Sequence, residues 1–309
     1  MQQRIIFMGT PEFAVPALRA LHTAFGVYAV VTVPDKAQGR GLEVRGSDVK
    51  TAAIELGIQR ILQPASLKDE GFIEELKSIA PSIMCVIAFR ILPRSVYSIP
   101  TLGAFNVHGS LLPKFRGAAP IHHSIIRGEK ETGVTSFLLN DVVDTGNVLL
   151  QRRMSIGDAM TAGDLYHALM PLAADCAVDT CRVLLDGTAT PLPQEAADPA
   201  FAAAPKVFRE TSVIDWSADV ETVRNFIRGL SPSPCAWTLW NDSLLKVYNA
   251  TSSSANCAMG TWRIADGQLI AGASNGALSL DDIQLPGKKR VATTEFLRGY
   301  RGPSQGSFA

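Results

Sequence analysis

The stretch from residue 105 to residue 120, FNVHGSLLPKFRGAAP, joins an apolar strand to an abrupt loop, and this limits the folds open to the chain. Residues 102–107 are apolar apart from one Gly and one Asn, which is typical of a buried strand. Gly109 and Pro113 then end the strand pattern and predict a loop. A polar loop after a buried strand indicates the carboxyl edge of an open α/β sheet, where such sheets bind ligands.

Two polar residues close this strand. Successive side chains of a strand point to opposite faces, so Asn106 and His108 are expected on the same face. An amide donor beside an imidazole suits a reaction in which negative charge builds on a carbonyl oxygen. An isolated Asn-x-His pair more often only satisfies local hydrogen bonds at a strand end. The weight of the catalytic interpretation therefore depends on the residues around the pair.

The first half of the chain alternates short apolar runs with helical patterns, which predicts an α/β fold with a Rossmann-like, mostly parallel sheet. The alternation begins with a strand at 5–8, a turn at Gly9-Thr10-Pro11 and a helix at 12–22. Further strands are predicted at 27–33, 83–88, 133–139 and 148–153, and a long helical stretch at 155–185. The Gly-x-Gly-x-x-Gly pattern is absent, so a dinucleotide is not indicated.

The last third of the chain has a different character. A segment rich in Ala and Pro, residues 187–205, is followed by a helix at 220–230 and then by short strands between turn signals. Regularly spaced short strands predict a small β-barrel, of the OB-like kind. We therefore predict a catalytic domain at 1–190, a linker at 191–206 and a second domain at 207–309.

The connection at 34–50 is long and lacks a periodic pattern of its own, which often marks a functional loop. It carries four basic residues, and Arg40 lies near its centre. A solvated, mobile loop is an equally good interpretation of the same residues.

Composition excludes some classes of protein. The 29 Lys and Arg balance 29 Asp and Glu, so a polyanionic partner has to be met by local basic patches. The five cysteines include no Cys-x-x-Cys pair, which indicates neither a zinc site nor a disulfide framework. No long apolar run is present, and the apolar start is too short for a signal peptide. We expect a cytoplasmic protein without a membrane partner.

Three motifs carry a resemblance to a known family. Asn-x-His-Gly-Ser-Leu-Leu-Pro, followed by Arg-Gly-Ala-Ala-Pro, resembles the formyltransferase family that uses 10-formyltetrahydrofolate, and within it the branch that acts on methionyl-tRNA. Residues 9–16, GTPEFAVP, are similar to the N-terminal signature of that branch. On the residues alone, Asp144 before Thr-Gly is a turn former. Asp-x-x-Asp-Thr-Gly at 141–146 resembles the second catalytic element of the family, which implies that Asp144 is a catalytic carboxylate.

The resemblance covers nearly the whole chain and implies a reaction. A formyl group would pass from the co-substrate 10-formyltetrahydrofolate to the α-amino group of methionine on charged initiator tRNA, with no metal. Asn106 and a protonated His108 would hold the tetrahedral oxyanion by hydrogen bonds. Asp144 would favour the imidazolium and help to relay the proton of the amine.

The resemblance also implies binding residues, and a monomer is expected. The C-terminal domain would follow the tRNA backbone, with 288–290, Arg298 and Arg301 as its best basic cluster. A solvated loop is an equally good interpretation of these charges. Phe89-Arg90, the pair before Ile91, is similar to the pair at that position in the purine-pathway glycinamide ribonucleotide formyltransferase. In the loop at 34–50, Leu42-Glu43 replaces a basic pair that is usual in the family. The expected folate-binding residues are Phe89, Arg90, Leu92, Ser110, Leu111, Leu112, Pro113 and Val143, and the expected acceptor-binding residues are Gly9, Thr10, Phe13, Arg40 and Lys206.

Two other functions compete. A sugar-nucleotide or glycinamide ribonucleotide formyltransferase would use the same chemistry, but the loop at 34–50 and the extra domain argue against the purine enzyme. A non-catalytic RNA-binding protein would not need Asn106, His108 and Asp144 together.

Overall fold

The computed structural model describes residues 3–38 and 43–308. The chain forms two compact units, and each unit is assembled from separate segments. The first unit consists of Met1–Gly117, Thr132–Met154 and Tyr166–Ala203, and the second of Ala118–Glu131, Ser155–Leu165 and Ala204–Ala309.

The chain up to residue 185 alternates strands with helices, as the apolar runs predict. A short 3-10 turn, Glu12–Ala14, precedes the first α-helix. In chain order the elements are β1 (Ile5–Gly9), α1 (Val15–Phe25), β2 (Val27–Val31), β3 (Lys36–Gln38), β4 (Glu43–Arg45), α2 (Asp48–Glu55), β5 (Ile61–Leu62), α3 (Glu70–Ile79), β6 (Ile83–Ile87), α4 (Arg94–Tyr97), β7 (Gly103–His108), α5 (Pro120–Ile126), β8 (Glu131–Leu138), β9 (Val148–Ser155) and α6 (Ala162–Leu185).

The main sheet has the order β5-β2-β1-β6-β7-β8-β9 among the described residues. Strands β5, β2, β1, β6 and β7 pair in parallel, and β8 pairs with β7 in the antiparallel sense. Strands β1 and β6 are buried along their whole length, as expected for parallel strands covered on both faces. The prediction of a Rossmann-like, mostly parallel sheet is confirmed.

The loop predicted at 34–50 has more structure than its sequence indicates. β3 and β4 pair as an antiparallel hairpin, and α2 begins at Asp48 with the Ser47 hydroxyl accepting a hydrogen bond from the backbone of Lys50. The hairpin strands are short, which is why their alternation is not visible in the sequence. Arg40 and Leu42 lie outside the described residues.

The second unit contains an antiparallel sheet, which bears out the small barrel predicted for the C-terminal region. Its strand order is β10-β11-β14-β13-β12-β16, and β15 pairs with β14. A hydrophobic core that includes the Trp240 and Trp262 rings packs against this sheet. The elements are α7 (Val220–Leu230), β10 (Ala236–Trp240), β11 (Ser243–Ser253), β12 (Thr261–Ala265), β13 (Gln268–Ala273), β14 (Gly276–Gln284), β15 (Val291–Ala292), α8 (Thr293–Gly299) and β16 (Gln305–Ser307).

Helix α7 also organises the earlier segments of the second unit. Its Arg228 is 3% exposed and donates to the Met160 carbonyl at 2.9 Å and to the Asn225 side chain at 2.7 Å. Burial lowers the pKa of the Arg228 guanidinium. A side chain on Gly229 would lie 2.6 Å from a side-chain carbon of Ile126, so glycine allows α5 to approach α7.

Much of the segment predicted as a linker is hydrogen-bonded within the first unit. Leu192 exchanges two backbone hydrogen bonds with Val148, at 2.7 and 2.8 Å. The Phe115 N–H donates to the Phe201 carbonyl at 2.7 Å. The domain boundaries at 190 and 207 stay a prediction. Among the described residues, no helix is long and apolar enough to cross a membrane.

We predict that Gly133→Ala destabilises the first unit. A Cβ at residue 133 would run into the Arg152 carbonyl oxygen and the Leu111 side chain, and backbone atoms cannot move aside cheaply. The expected cost is about 1–3 kcal/mol, seen as a Tm lower by several degrees in thermal unfolding.

Gly299→Ala is the control, because a Cβ there would have no neighbour within 4 Å. An unchanged Tm for Gly133→Ala would contradict the close packing of β8 against β9.

Candidate active site

Asn106 and His108 occupy the carboxyl end of β7, where the strand alternation places them. Asn106 pairs with Val86 on β6 and with Phe137 on β8, so its backbone lies in the middle of the sheet. Its side chain is half-buried and makes no hydrogen bond with the part of the chain that the structure describes. A half-buried amide without a protein partner is available to a ligand.

The His108 imidazole is 8% exposed and has a protein neighbour on each nitrogen. Nε2 lies 2.8 Å from the Phe115 carbonyl oxygen. A carbonyl only accepts, so we assign the ring hydrogen to Nε2. Nδ1 lies 3.8 Å from Oδ2 of Asp144, which is beyond a direct hydrogen bond but within the distance of an ion pair.

Asp144 reaches this position from a tight turn. Its backbone is left-handed, with φ of 57°, a conformation that Asp tolerates better than most residues. Oδ2 accepts the Gly117 N–H at 2.8 Å, and the side chain is 11% exposed. One carboxylate oxygen therefore connects the turn after β8, the loop after β7 and the imidazole. The structure thus brings Asp144 and His108 together.

The loop at 109–114 is held by side chains from two other strands. On β8, the Thr135 hydroxyl donates to the Ser110 carbonyl at 2.7 Å and accepts the Leu112 N–H at 3.0 Å. On β9, the Gln151 amide donates to the Leu112 carbonyl at 2.8 Å. Sequence reasoning missed Thr135 and Gln151, because nothing local connects them to this loop.

The residues predicted to bind folate divide into those that are buried and those that face solvent. Ser110 is fully buried, and its hydroxyl donates to the Lys114 carbonyl at 2.6 Å. Leu92 and Leu112 are also buried, whereas Phe89, Leu111 and Pro113 are half-buried. The buried side chains shape the backbone of these loops, so a ligand there would meet backbone groups.

Arg90 is used within the protein. Its guanidinium donates to the carbonyls of Pro64 and Ala65 at 2.9 and 3.0 Å, and burial lowers its pKa. Its neighbour Ile91, which sequence reasoning did not single out, is 76% exposed, and Val143 is 48% exposed. Exposed apolar side chains in these loops can cover an apolar ring system.

The residues predicted at the acceptor side have different surroundings. A Cβ on Gly9 would lie 2.9 Å from that of Ala14, so only glycine fits at the end of β1. Thr10 follows it and is half-buried. Phe13 is buried; its N–H donates to the Tyr166 hydroxyl at 3.0 Å, and the two rings lie 5.2 Å apart. Sequence reasoning missed Tyr166, which positions Phe13 from α6.

Lys206 belongs to the second unit and is exposed, with Nζ 5.2 Å from the centre of the Phe208 ring. Arg40, the remaining acceptor prediction, lies outside the described residues. Within the described ranges, no group of three or more His, Cys, Asp or Glu side chains is arranged to hold a metal ion.

Known proteins match this chain over both its N-terminal and its C-terminal regions. The family model "Formyl transferase" matches residues 3–180, and "Formyl transferase, C-terminal domain" matches residues 206–301. The chain is 44% identical to the methionyl-tRNA formyltransferase of Porphyromonas gingivalis over 96% of this chain and 95% of that protein. It is 41% identical to the methionyl-tRNA formyltransferase of Chlorobium luteolum, over 96% of this chain and 97% of that protein.

Solved structures share the fold. The structure of WlaRD, a sugar 3N-formyl transferase, superposes with a TM-score of 0.67 over 94% of this chain and all of that chain, at 17% identity. At that identity the likeness is one of fold. The identities above 40%, extending over almost the full length of both partners, place this chain in the methionyl-tRNA formyltransferase family.

Proposed function

We propose that this protein transfers the formyl group of 10-formyltetrahydrofolate to the α-amino group of methionine on initiator tRNA. The family of the chain supports this reaction. The observation that carries the proposal is the polar cluster at the end of β7. There the amide of Asn106 has no hydrogen-bond partner among the described residues, and the His108 ring lies beside the Asp144 carboxylate.

In the proposed reaction, the amine attacks the formyl carbon, and a tetrahedral intermediate with a negative oxygen forms. Asn106 donates a hydrogen bond to this oxygen, and a positive His108 ring stabilises it. The bond to N10 of the folate then breaks, and the nitrogen leaves with its electron pair and takes up a proton. The attacking nitrogen loses a proton, which the Asp144 carboxylate accepts directly or through water and can pass on to the departing N10.

The separation of 3.8 Å between Nδ1 of His108 and Oδ2 of Asp144 suits this chemistry. A direct hydrogen bond would occupy Nδ1 of His108, whereas the longer distance leaves that atom open to a reacting group. The carboxylate stays close enough to attract positive charge that develops at this end of β7 during the reaction.

The folate site is proposed at the loops around residues 88–92, 109–113 and 140–144. Ser110, Leu112 and Leu92 would shape the backbone there, and Ile91 and Val143 would cover the apolar face of the pterin. Gly9, Thr10 and Phe13 would border the aminoacyl end of the acceptor, with no metal required.

The tRNA backbone is proposed to meet basic side chains of the second unit and of the loop that carries Arg40. Lys206, Lys288 and Lys289 are exposed. Arg290, by contrast, donates to the Asp282 carboxylate at 2.5 Å and lies 4.3 Å from the centre of the Tyr248 ring. Lys288 and Lys289 are therefore better phosphate contacts than Arg290.

A cytoplasmic monomer is part of the proposal. The cytoplasm holds charged tRNA and keeps thiols reduced, which agrees with four buried free cysteines, Cys85, Cys176, Cys181 and Cys235.

One assay tests the function. The protein is incubated with 10-formyltetrahydrofolate and, in parallel, with methionyl initiator tRNA, elongator methionyl-tRNA and an amino-sugar nucleotide. We expect formylation of the initiator tRNA. Formylation of the sugar nucleotide alone would replace this proposal by the sugar alternative.

We predict that His108→Ala lowers kcat by at least about 100-fold, as the loss of one oxyanion donor does. Binding of a folate analogue, measured by calorimetry, should hardly change. Asp144→Asn is the matched variant, because the amide oxygen can still accept the Gly117 N–H while the negative charge is lost. Single-turnover transfer by His108→Ala at the wild-type rate would remove His108 from the mechanism.

We predict that the double variant Lys288→Ala/Lys289→Ala weakens tRNA binding and flattens its salt dependence by about one unit of slope per lost phosphate contact. Folate binding should stay the same. Lys77→Ala is the control, since Lys77 is an exposed lysine paired with Glu74 on α3. Equal slopes for the double variant and the wild type would show that these lysines do not contact phosphate.

A further inference from the structure

One glutamine outside the motifs that carry the family resemblance uses its whole amide at the proposed active site. Nε2 of Gln194 donates to the Asp144 carbonyl at 3.0 Å and to the Gly146 carbonyl at 2.8 Å. Its Oε1 accepts from Nε and Nη2 of Arg116, at 3.1 and 2.7 Å. A primary amide has two N–H donors and two acceptor lone pairs, so all four positions are filled.

These bonds connect the two loops that carry the catalytic groups. The turn at Asp144 is one partner, and Arg116, which precedes Gly117 in the loop after β7, is the other. The same two loops meet a second time where the Asp144 carboxylate accepts the Gly117 N–H at 2.8 Å. Gln194 therefore closes a ring of hydrogen bonds around the catalytic carboxylate.

The segment around Gln194 adds further contacts to the same loops. We call residues 192–202 the strap. Leu192 pairs with Val148 at the start of β9, and the carbonyls of Phe201 and Ala202 accept the N–H groups of Phe115 and Arg116 at 2.7 and 3.1 Å. The rings of Phe115 and Phe201 also meet edge to face, 5.9 Å apart.

Phe115 gives the strap a direct connection to His108. Its carbonyl accepts the His108 Nε2–H at 2.8 Å, and its backbone is left-handed, with φ of 59°. A non-glycine residue in that conformation is held there by its surroundings. The partner of His108 on one side, Phe115, and its neighbour on the other side, Asp144, are thus both fixed by the strap.

We propose that Gln194 is a positioning residue for formyl transfer, which acts through Asp144 and through the loop at 115–117. It sets the distance between the Asp144 carboxylate and the His108 ring. This inference rests on the proposed function, and it assigns a mechanistic role to a segment whose composition predicts only a linker.

The main test is a double-mutant cycle in the full-length protein. We expect Gln194→Ala to lower kcat by about 10- to 100-fold, with KM for both substrates changed less than about 3-fold, because an error of about 1 Å in a catalytic group costs rate rather than ground-state binding. In the Asp144→Asn background the same substitution should cost little more, because Gln194 acts through that side chain.

Gln194→Glu keeps the hydrogen-bond acceptor of the amide and removes its N–H donors. The carboxylate can still accept from Arg116, but it cannot donate to the carbonyls of Asp144 and Gly146. We expect a kcat at least as low as that of Gln194→Ala at neutral pH, with partial recovery as the pH falls and the carboxyl group regains a proton to donate. Glu195→Gln, an amide-for-acid exchange at the next, exposed residue, is the control and should leave kcat unchanged.

An NMR measurement on the His108 ring does not depend on which acceptor substrate the protein uses. In nitrogen-15 NMR of the histidines, the His108 Nε2–H signal should shift or broaden in Gln194→Ala and stay in place in Glu195→Gln. If the wild-type protein does not turn over methionyl-tRNA, the proposed function is contradicted, and the His108 NMR signal alone decides this inference. An unmoved His108 signal, a wild-type kcat, or additive losses with Asp144→Asn would overturn it. Loss of the fold in both Gln194 variants would also overturn it, because Gln194 would then be structural.

Discussion

The proposed active site depends on one carboxylate oxygen, Oδ2 of Asp144. It accepts the Gly117 N–H at 2.8 Å and lies 3.8 Å from the His108 ring, so it joins the turn after β8 to the end of β7 and to the loop that follows β7. The oxygen reaches this point only because residue 144 adopts a left-handed backbone. An aspartate combines tolerance of that conformation with a negative charge, and few residues meet both requirements.

Around this oxygen, polar side chains from other parts of the first unit hold the loops in place. Thr135 and Gln151 fix the loop after β7 from two neighbouring strands, and Gln194 fixes the turn at Asp144. Thr135 is fully buried, so leaving its hydrogen bonds unmade would be costly and its hydroxyl has few alternative arrangements. The amide of Asn106, which is proposed to face the ligand, makes no such bond with any described residue, as expected for a group that acts in a site rather than supports it.

The second unit shows the same division between structural and available charge. Arg228 is buried and committed to Met160 and Asn225, and Arg290 is committed to Asp282, whereas Lys288 and Lys289 are exposed. A basic residue count would treat all four alike. Arg290 is exposed as well, but its charge is paired with Asp282. Charges without such a partner remain open to a phosphate backbone, and the zero net charge of the chain makes their placement more important.

The sequence by itself determined the mostly parallel sheet, the small C-terminal barrel and the helix at 220–230, because these depend on periodic patterns of neighbouring residues. It also predicted Asn106 and His108, which lie two residues apart on one strand, as candidate site residues, and Asp144 through the resemblance of its motif to a family. Tertiary structure alone decided which groups surround them. Gln194 lies 50 residues from Asp144 and 78 from Arg116, so no local pattern relates them, and a segment of Ala and Pro predicts only a linker. Burial of Ser110 and Leu92, and the use of Arg90 by two carbonyls, were likewise decided by packing, since a residue type does not state which of its contacts will be made inside the protein.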